Sequence, residues 1–367
     1  MDFNIYFFST CFRNCQEDIL IKWLTQKCHE NHENHAYYLF LTTYDYTKKC
    51  IKIKHNIYNM GDESNCKFVS SRGLLKICDK HNRNPQSSCR DIDNDILDNL
   101  KDYDVIHICS WLSLSIFMTH YAPRIDKKII IVSNDSDFDG PIFIKPVGKG
   151  DEINTEAIIN FLNSDFCIHW FTQNCTIKHS KISPIPIGMD YHTFSRNISI
   201  PYQEEIISNI ASNSIPFYER ALLCYGNFHF SMDGKYYSSD RYDCFNNVNK
   251  NLVHYEPCMI NRESTWKNQS NFSFVLCPAG GGYDCHRTWE ALILGCIPII
   301  KKFHIPLEEI YEDLPILLVN NWNDITPELL QNTITNFKNR KFNMDKLTLQ
   351  YWKDKIFSYK LKTDKIE

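Results

Sequence analysis

The sequence lacks three features that would assign it to a familiar class. It has no run of about eighteen apolar residues, so we expect no membrane-spanning helix. Its 40 Lys and Arg are outnumbered by 44 Asp and Glu, so we expect no nucleic-acid partner. No Gly-x-Gly-x-x-Gly motif follows the first predicted strand, residues 5–9, which argues against a dinucleotide-binding oxidoreductase.

The amino terminus and the cysteines give no sign of export. Residues 1–12 have neither a basic segment nor an apolar run long enough for a signal peptide. The 16 cysteines are scattered, and Cys109, Cys167, Cys224 and Cys277 fall within apolar strands. This pattern is typical of free, buried thiols in a reducing compartment, so we predict a cytoplasmic protein.

Apolar strands alternate with amphipathic stretches, which predicts doubly wound α/β domains with parallel sheets. The predicted strands are 5–9, 36–43, 105–109, 128–133, 166–171, 185–188, 220–225, 252–255, 272–276, 297–300 and 316–319. Pro, Ser and Asn cluster at 195–216, so we place a first domain at 1–212 and a second at 213–343. A helical terminal segment, 344–367, follows.

A glycine loop lies between the predicted strands 272–276 and 297–300. It contains Gly280, Gly281 and Gly282, which tolerate positive φ and allow a ligand to approach the backbone closely. The loop leads into a predicted helix, whose free N–H groups and dipole favour an anion such as a diphosphate. A glycine loop alone is a weak signal.

Charged residues at the start of this helix strengthen the prediction of an anion site. His286 and Arg287 lie in its first turn, where a cation is unfavourable unless it faces an anion. Glu290 follows on the same face. An arginine beside a phosphate and a carboxylate beside a sugar diol suit a nucleotide-sugar site. The alternative is an Arg287–Glu290 pair on the surface.

A second strand of this domain ends in a similar way. Residues 220–225 lead into Gly226 and Asn227, and Arg241 follows near the start of the next predicted helix. Gly226 would admit a ligand, and Arg241 can bind a phosphate with two parallel hydrogen bonds. The alternative is a helix-capping Asp240 beside a surface arginine.

The first domain offers candidate proton acceptors. Asp190 and His192 follow its last predicted strand and Asp135 follows residues 128–133; each can accept a hydroxyl proton. Alternatively, Asp190 caps a turn, His192 packs at a hinge, and Asp135 with Asp137 forms an Asx turn or holds a metal through oxygen ligands. The Cys and His residues of 28–35 lack the distant pair that a zinc site needs.

The quoted stretches resemble the exostosin family of glycosyltransferases. The similarity covers Phe274–Pro278, the glycines, and residues 284–300, and extends to 184–193 and 222–241. It implies a GT-B fold with two Rossmann-type domains facing across a cleft, the donor in the second and the acceptor in the first. It also implies inversion at the anomeric carbon, and a terminal helix that returns to the first domain.

The predicted function is therefore transfer of a sugar from a nucleoside-diphosphate sugar to a glycan or another hydroxyl acceptor. Arg241 and Arg287 would stabilise the leaving diphosphate, so we expect no required cofactor and no divalent metal. Glu290 would hold the ribose hydroxyls. The alternatives are an inactive protein of the same fold that binds glycans or nucleotides and, less favoured, a nucleotide-dependent oxidoreductase.

Overall fold

The computed structural model describes residues 62–83, 87–88, 91–93, 96–109, 112–142, 155–193, 198–230, 237 and 239–361. The strands predicted at 5–9 and 36–43 and the Cys and His residues of 28–35 lie outside the described residues. The described chain contains two separate parallel sheets. The predicted α/β class with two Rossmann-type sheets is therefore confirmed.

The first sheet has four strands in the order β1-β2-β3-β4. They are β1 Val105–His107, β2 Ile129–Ser133, β3 Cys167–Thr172 and β4 Ile182–Pro184. Strands β1 and β2 are buried along their whole length, as continuous apolar runs in a covered parallel sheet should be. The helices of this part are α1 Ser71–Lys76, α2 Leu112–Ile116 and α3 Thr155–Asn163. We call residues 62–193 the first lobe.

The last strand of this sheet was predicted at 185–188, which is wrong. Strand β4 ends at Pro184, and the chain beyond it turns away. Pro186 has no N–H to extend the ladder, and Gly188 has a φ of 67°, which brings Met189 N within 2.7 Å of Val69 O. Residues 185–193 therefore form a loop that carries Asp190 and His192 to the carboxyl edge of the sheet.

The second sheet has five strands in the order β6-β5-β7-β8-β9. They are β5 Ala221–Gly226, β6 Val253–Tyr255, β7 Phe272–Leu276, β8 Ile297–Lys301 and β9 Leu317–Val319. We call residues 217–343 the second lobe. Because β6 and β7 lie on opposite sides of β5, the strand order reverses there. Ligands of open α/β sheets bind at such a switch point.

Helix α4, Ile200–Asn213, leads from the first lobe to the second. The remaining helices are α5 Ser239–Asn247, α6 Arg262–Gln269, α7 His286–Ile293, α8 Pro327–Phe337 and α9 Leu349–Leu361. Shorter helical turns occupy Glu63–Asn65, Phe117–Tyr121, Ala122–Arg124, Phe217–Glu219, Lys250–Leu252, Pro306–Tyr311, Trp322–Asp324 and Met344–Leu347. None of the described helices has the length and apolarity needed to cross a membrane.

Helix α9 packs against the first lobe. The Tyr359 and His169 rings lie 4.0 Å apart between centroids, and Lys360 pairs with Asp79. Trp352 and Ile356 are fully buried, and one apolar core contains residues of both lobes. The predicted domain limits at 212 and 343 stay a prediction.

Candidate functional site

The carboxyl ends of both sheets face the same region, and Asp284 joins the lobes there. Its side chain is 2% exposed and accepts hydrogen bonds from Ile187 N at 2.8 Å, Trp289 Nε1 at 2.9 Å and Tyr311 OH at 3.0 Å. Burial raises the pKa of this carboxyl group. Trp289 and Tyr311 belong to the second lobe and Ile187 to the first. Asp284 therefore holds the loop before α7 against the first lobe.

The glycine loop makes direct contact with the first lobe. A Cβ on Gly281 would collide with the Asp137 carboxylate, and one on Gly282 with the Asn174 amide. Among the described glycines, Gly188 and Gly295 have positive φ, and the three loop glycines do not. The tolerance of glycine for positive φ is therefore not what this loop uses. Gly281 and Gly282 are needed because residues of the first lobe lie against their backbone, and Gly280 because Arg241 of its own lobe does.

Two arginines flank this loop on the side of the second lobe. Arg241, in the first turn of α5, is 5% exposed and donates to His229 O at 2.8 Å and Ala279 O at 3.4 Å. Arg287, in the first turn of α7, donates to Pro278 O at 3.4 Å. Burial and then the charge of Arg287 lower the pKa of Arg241. The surface-arginine alternative for Arg241 is thus wrong.

Helix α7 begins without a side-chain cap and lies close to the first lobe. Its N-cap, Cys285, makes no side-chain capping hydrogen bond. His286 Nδ1 lies 2.7 Å from Gly188 O, and its ring centroid is 6.1 Å from that of His192. The structure thus brings His286 of the second lobe and His192 of the first together.

Glu290 is held by neighbours in its own lobe. Its Oε1 accepts from Arg262 Nη2 and its Oε2 from Trp266 Nε1 at 3.0 Å. The alternative of a surface pair with Arg287 is therefore wrong, because the cation partner is Arg262. The predicted contact with a ribose stays a prediction.

The three predicted proton acceptors of the first lobe lie in one cluster. His192 Nδ1 is 3.4 Å from Asp190 Oδ1, and His192 Nε2 is 3.3 Å from Ser87 Oγ. Ser87 in turn lies 3.2 Å from Asp135 Oδ1, and Arg72 Nε lies 3.6 Å from Asp135 Oδ2. Asp190 also accepts from the backbone of Thr193, as the turn-capping alternative predicts. His192 therefore lies between two carboxylates.

The charge states in this cluster follow from burial and neighbours. Burial raises the pKa of Asp190, but His286, His192 and Arg262 outweigh it and hold that pKa below its ordinary value. Burial lowers the pKa of His192 and raises that of Asp135. A neutral imidazole beside an ionised aspartate is the arrangement a general base requires.

Gly226 and Asn227 lie at the switch point, beside β6. The ring of Tyr255 occupies the space where a Cβ of Gly226 would be, at 2.5 Å. Asn227 Nδ2 donates to Gln269 Oε1 at 3.2 Å. The bare backbone at Gly226 therefore accommodates an aromatic ring, and the predicted approach of a ligand there stays a prediction.

Sequence reasoning missed several residues of the site, above all Arg262. It follows the N-cap Asn261 at the first position of α6, where a cation opposes the helix dipole. Arg262, like Arg287, is a cation at a helix start, so the same sequence signal indicates an anionic partner for it. Asp137, considered only as part of an Asx turn or a metal site, and Asn174 gave no comparable signal.

No group of three or more His, Cys, Asp or Glu side chains is arranged for a metal ion within the described ranges. Two open surface pockets lie away from the cluster. One, of about 350 Å³, is beside β4 and includes Lys178 and Glu309. The other, of about 470 Å³, is beside the end of α4 and includes Ile215. Neither contains a predicted site residue.

Comparisons with known proteins found solved structures of low similarity and no match at the level of sequence. No family model matches the sequence, and no curated protein does. Similar solved structures include the N-terminal domain of trehalose-6-phosphate phosphatase from Candida albicans (10% identity, 73% of this chain and 70% of that chain, TM-score 0.32). They also include TarM (9%, 71% and 51%, TM-score 0.28) and WaaG, a glycosyltransferase involved in lipopolysaccharide biosynthesis (9%, 69% and 99%, TM-score 0.25).

The similarity to these structures is too low to carry an argument about function. What defines the class is the topology described above, a two-lobed α/β protein with two parallel sheets. The resemblance to the exostosin family stays a prediction.

Proposed function

We propose that this protein is a glycosyltransferase that moves a sugar from a nucleoside-diphosphate sugar to a hydroxyl acceptor such as a glycan. One observation carries the proposal. The cationic start of α7 in the second lobe lies beside the Asp190–His192 pair of the first, with His286 and His192 6.1 Å apart between ring centroids. This arrangement supports a site for an anionic leaving group next to a proton acceptor.

The second lobe would bind the diphosphate. Arg241 and Arg287 flank the glycine loop, and α7 begins without a side-chain cap. Hydrogen bonds to charged groups contribute about 1.5–3 kcal/mol each. The loop already lies against an anion, because the carboxylate of Asp137 contacts Gly281. That contact supports an anion-binding role for the loop, with protein charge in place of phosphate.

The first lobe would accept the proton. The acceptor oxygen attacks the anomeric carbon while the bond from that carbon to the diphosphate oxygen breaks, and the configuration inverts. The hydroxyl proton passes to His192, whose imidazole Asp190 orients, and the diphosphate leaves with the bonding electrons. Asp135 is the second candidate acceptor for the proton, since it shares Ser87 with His192. Arginines and helix dipole supply the positive charge.

Glu290 would bind the ribose of the donor. Its carboxylate makes two hydrogen bonds, to Arg262 and Trp266. A carboxylate has about four lone-pair positions, so two positions are left for the two ribose hydroxyls.

Thermal shift with UDP-, GDP- and dTDP-sugars tests the proposal. We expect one donor class to raise the melting temperature, Arg287→Ala to abolish the shift, and the exposed control Arg340→Ala to retain it. Mass spectrometry of acceptor mixtures should then detect the glycosylated product. If no donor shifts either protein and none is consumed, the proposal is wrong.

A second candidate, an inactive protein of this fold that binds glycans, is favoured by one contact. Asp137 and Asn174 lie against the glycine loop, where a donor diphosphate would need room. Glycan binding with neither donor binding nor transfer would support this candidate over the first.

A further inference from the structure

The side chain of Arg262 makes an unusual set of contacts between the lobes. Its Nη1 donates to the backbone oxygen of Asp190 at 2.6 Å and to Gln203 Oε1 at 3.3 Å. Its Nη2 donates to Glu290 Oε1. The guanidinium also lies 4.7 Å from the centroid of the Trp266 ring. One side chain therefore connects the loop of the candidate base, the interlobe helix and helix α7.

This geometry requires an arginine. A planar guanidinium offers several donors in a fixed fork, whereas a lysine offers a single point charge. The position is also unfavourable for a cation, because Arg262 is the first residue of α6 and opposes the helix dipole. Its side chain is only 14% exposed. The contacts to Asp190 and Glu290 are what offset this cost.

We propose that Arg262 is a positioning residue, which holds the Asp190–His192 pair of the first lobe in place against helix α7 of the second. The proposal deepens the proposed function and rests on it for its effect on catalysis. Arg262 does not touch the reacting atoms. It fixes the backbone of Asp190, and Asp190 in turn orients His192 through the contact at 3.4 Å.

The charges around the pair give this role an electrostatic consequence. Asp190 is faced by His192 on its own loop, by Arg262 on α6 and by His286 on α7. All three lower the pKa of Asp190 against the effect of burial. Removal of the Arg262 charge should therefore make the Asp190–His192 pair bind its proton at higher pH.

Together with burial, the charged groups that face His192 determine its pKa in the wild type. They are Asp190, Arg72 on α1, Asp135 on the loop after β2, and His286 on α7. Asp190 is the one of these groups that Arg262 contacts, so a change at Arg262 reaches His192 through Asp190. A shift in the titration of His192 would thus report a change at Asp190 and not at Arg72, Asp135 or His286.

The first experiment does not depend on the reaction. The histidine ring signals of the full chain are followed by NMR against pH in the wild type, Arg262→Gln and Arg262→Lys. We expect His192 to titrate at higher pH in Arg262→Gln and near the wild-type value in Arg262→Lys. An unshifted titration of His192 in folded Arg262→Gln overturns the proposal, whether or not the protein is a transferase.

A matched control separates positioning from stability. Arg220 is also a largely buried arginine of the second lobe, and it donates to Ile215 O, Leu294 O and Cys296 Sγ. Arg220→Gln should lower the melting temperature without moving the titration of His192. An equal shift of His192 in both variants would overturn the proposal.

The second experiment measures catalysis with the donor found by thermal shift. A displacement of about 1 Å in a catalytic group can cost about 100-fold in rate, so we expect Arg262→Gln to lower kcat by roughly that factor. The KM for the donor should change less than about twofold, and the acidic limb of the pH profile should move to higher pH.

Arg262→Lys keeps the charge and loses the fork, so it should lower kcat about tenfold with an unmoved profile. A wild-type kcat in Arg262→Lys, or a loss confined to donor KM in Arg262→Gln, overturns the positioning role. If the wild type binds and transfers no sugar nucleotide, the proposed function is wrong. The NMR comparison then still decides on Arg262.

Discussion

The two lobes bring opposite chemistry to their common edge. The second contributes guanidinium groups at helix starts, Arg241 and Arg287, whereas the first contributes carboxylates and an imidazole around His192. If binding and proton transfer are divided in this way, substitutions in the two lobes should affect different kinetic constants. That separation is what distinguishes a two-lobed transferase from a protein that uses this edge for binding alone.

The largest effect is expected in the first lobe. His192→Ala removes the proposed proton acceptor, and general base catalysis contributes about 10²- to 10⁴-fold, so kcat should fall within that range. Donor affinity, measured by calorimetry, should change less than about twofold. The exposed His120→Ala serves as the control. A variant that loses donor affinity and keeps kcat would break the division between the lobes.

The second-largest effect is expected in the second lobe, on donor affinity. Arg241→Ala removes charge-assisted hydrogen bonds worth about 1.5–3 kcal/mol, so the Kd for the donor should rise about 10- to 100-fold. Saturating donor should restore most of kcat. Calorimetry gives the Kd and steady-state kinetics the rate. Unchanged donor affinity in the folded variant would remove Arg241 from the binding site.

A smaller effect tests the contact between the lobes. A Cβ at Gly282 would lie 2.8 Å from the backbone oxygen of Asp137, which yields less readily than a side chain. Overpacking typically costs about 1–3 kcal/mol, so Gly282→Ala should lower the free energy of unfolding in urea by that amount. At Gly280 the nearest atoms to a Cβ all belong to the end of the Arg241 side chain, so Gly280→Ala should cost less. Equal costs would argue against a rigid contact.

The smallest effect concerns protons within the first lobe. Burial lowers the pKa of His107 to about 3 from 6.5, so the folded state excludes a proton that the unfolded chain binds. Stability from this group is therefore complete above pH 6.5 and is lost as pH falls toward 3. Between pH 7 and 5.5 the loss is about 1 kcal/mol.

His107→Gln should remove that loss and can still donate to Asn134 Oδ1, which His107 Nε2 contacts at 2.8 Å. The free energy of unfolding is measured in urea at both pH values for both proteins, and the difference between them cancels other titrating groups. An identical pH dependence would mean that His107 is accessible to protons in the folded state.

The two halves of the site differ in how far the sequence predicts them. In the second lobe, the predicted residues lie next to the end of strand β7 and at the starts of helices α5 and α7. The local sequence pattern is strong at each of these places. Strand β7 occupies 272–276, as predicted, and Arg241 and Arg287 lie beside the glycine loop between β7 and α7. These signals act over a few residues, and the equally local signal of Arg262, at the start of α6, was missed.

The half in the first lobe depends on long-range contacts. The cluster brings together Arg72, Asp135 and His192 from three separate loops or helices. The periodicity of the sequence does not predict such contacts. Helix α1 is only six residues long, too short to show helical periodicity. The sequence feature that could have indicated α1 is its N-cap, Ser70, whose side chain accepts a hydrogen bond from Gly73 N.

The position of α9 has a consequence for how the protein is made. Leu349 N donates to Lys67 O at 3.0 Å, so helix α9 closes a structure that includes residue 67. The second lobe is in effect an insertion between two parts of this structure, and it can complete its sheet before α9 is synthesised. The first lobe has to wait for α9 to emerge, which leaves its face under Tyr359 uncovered until then.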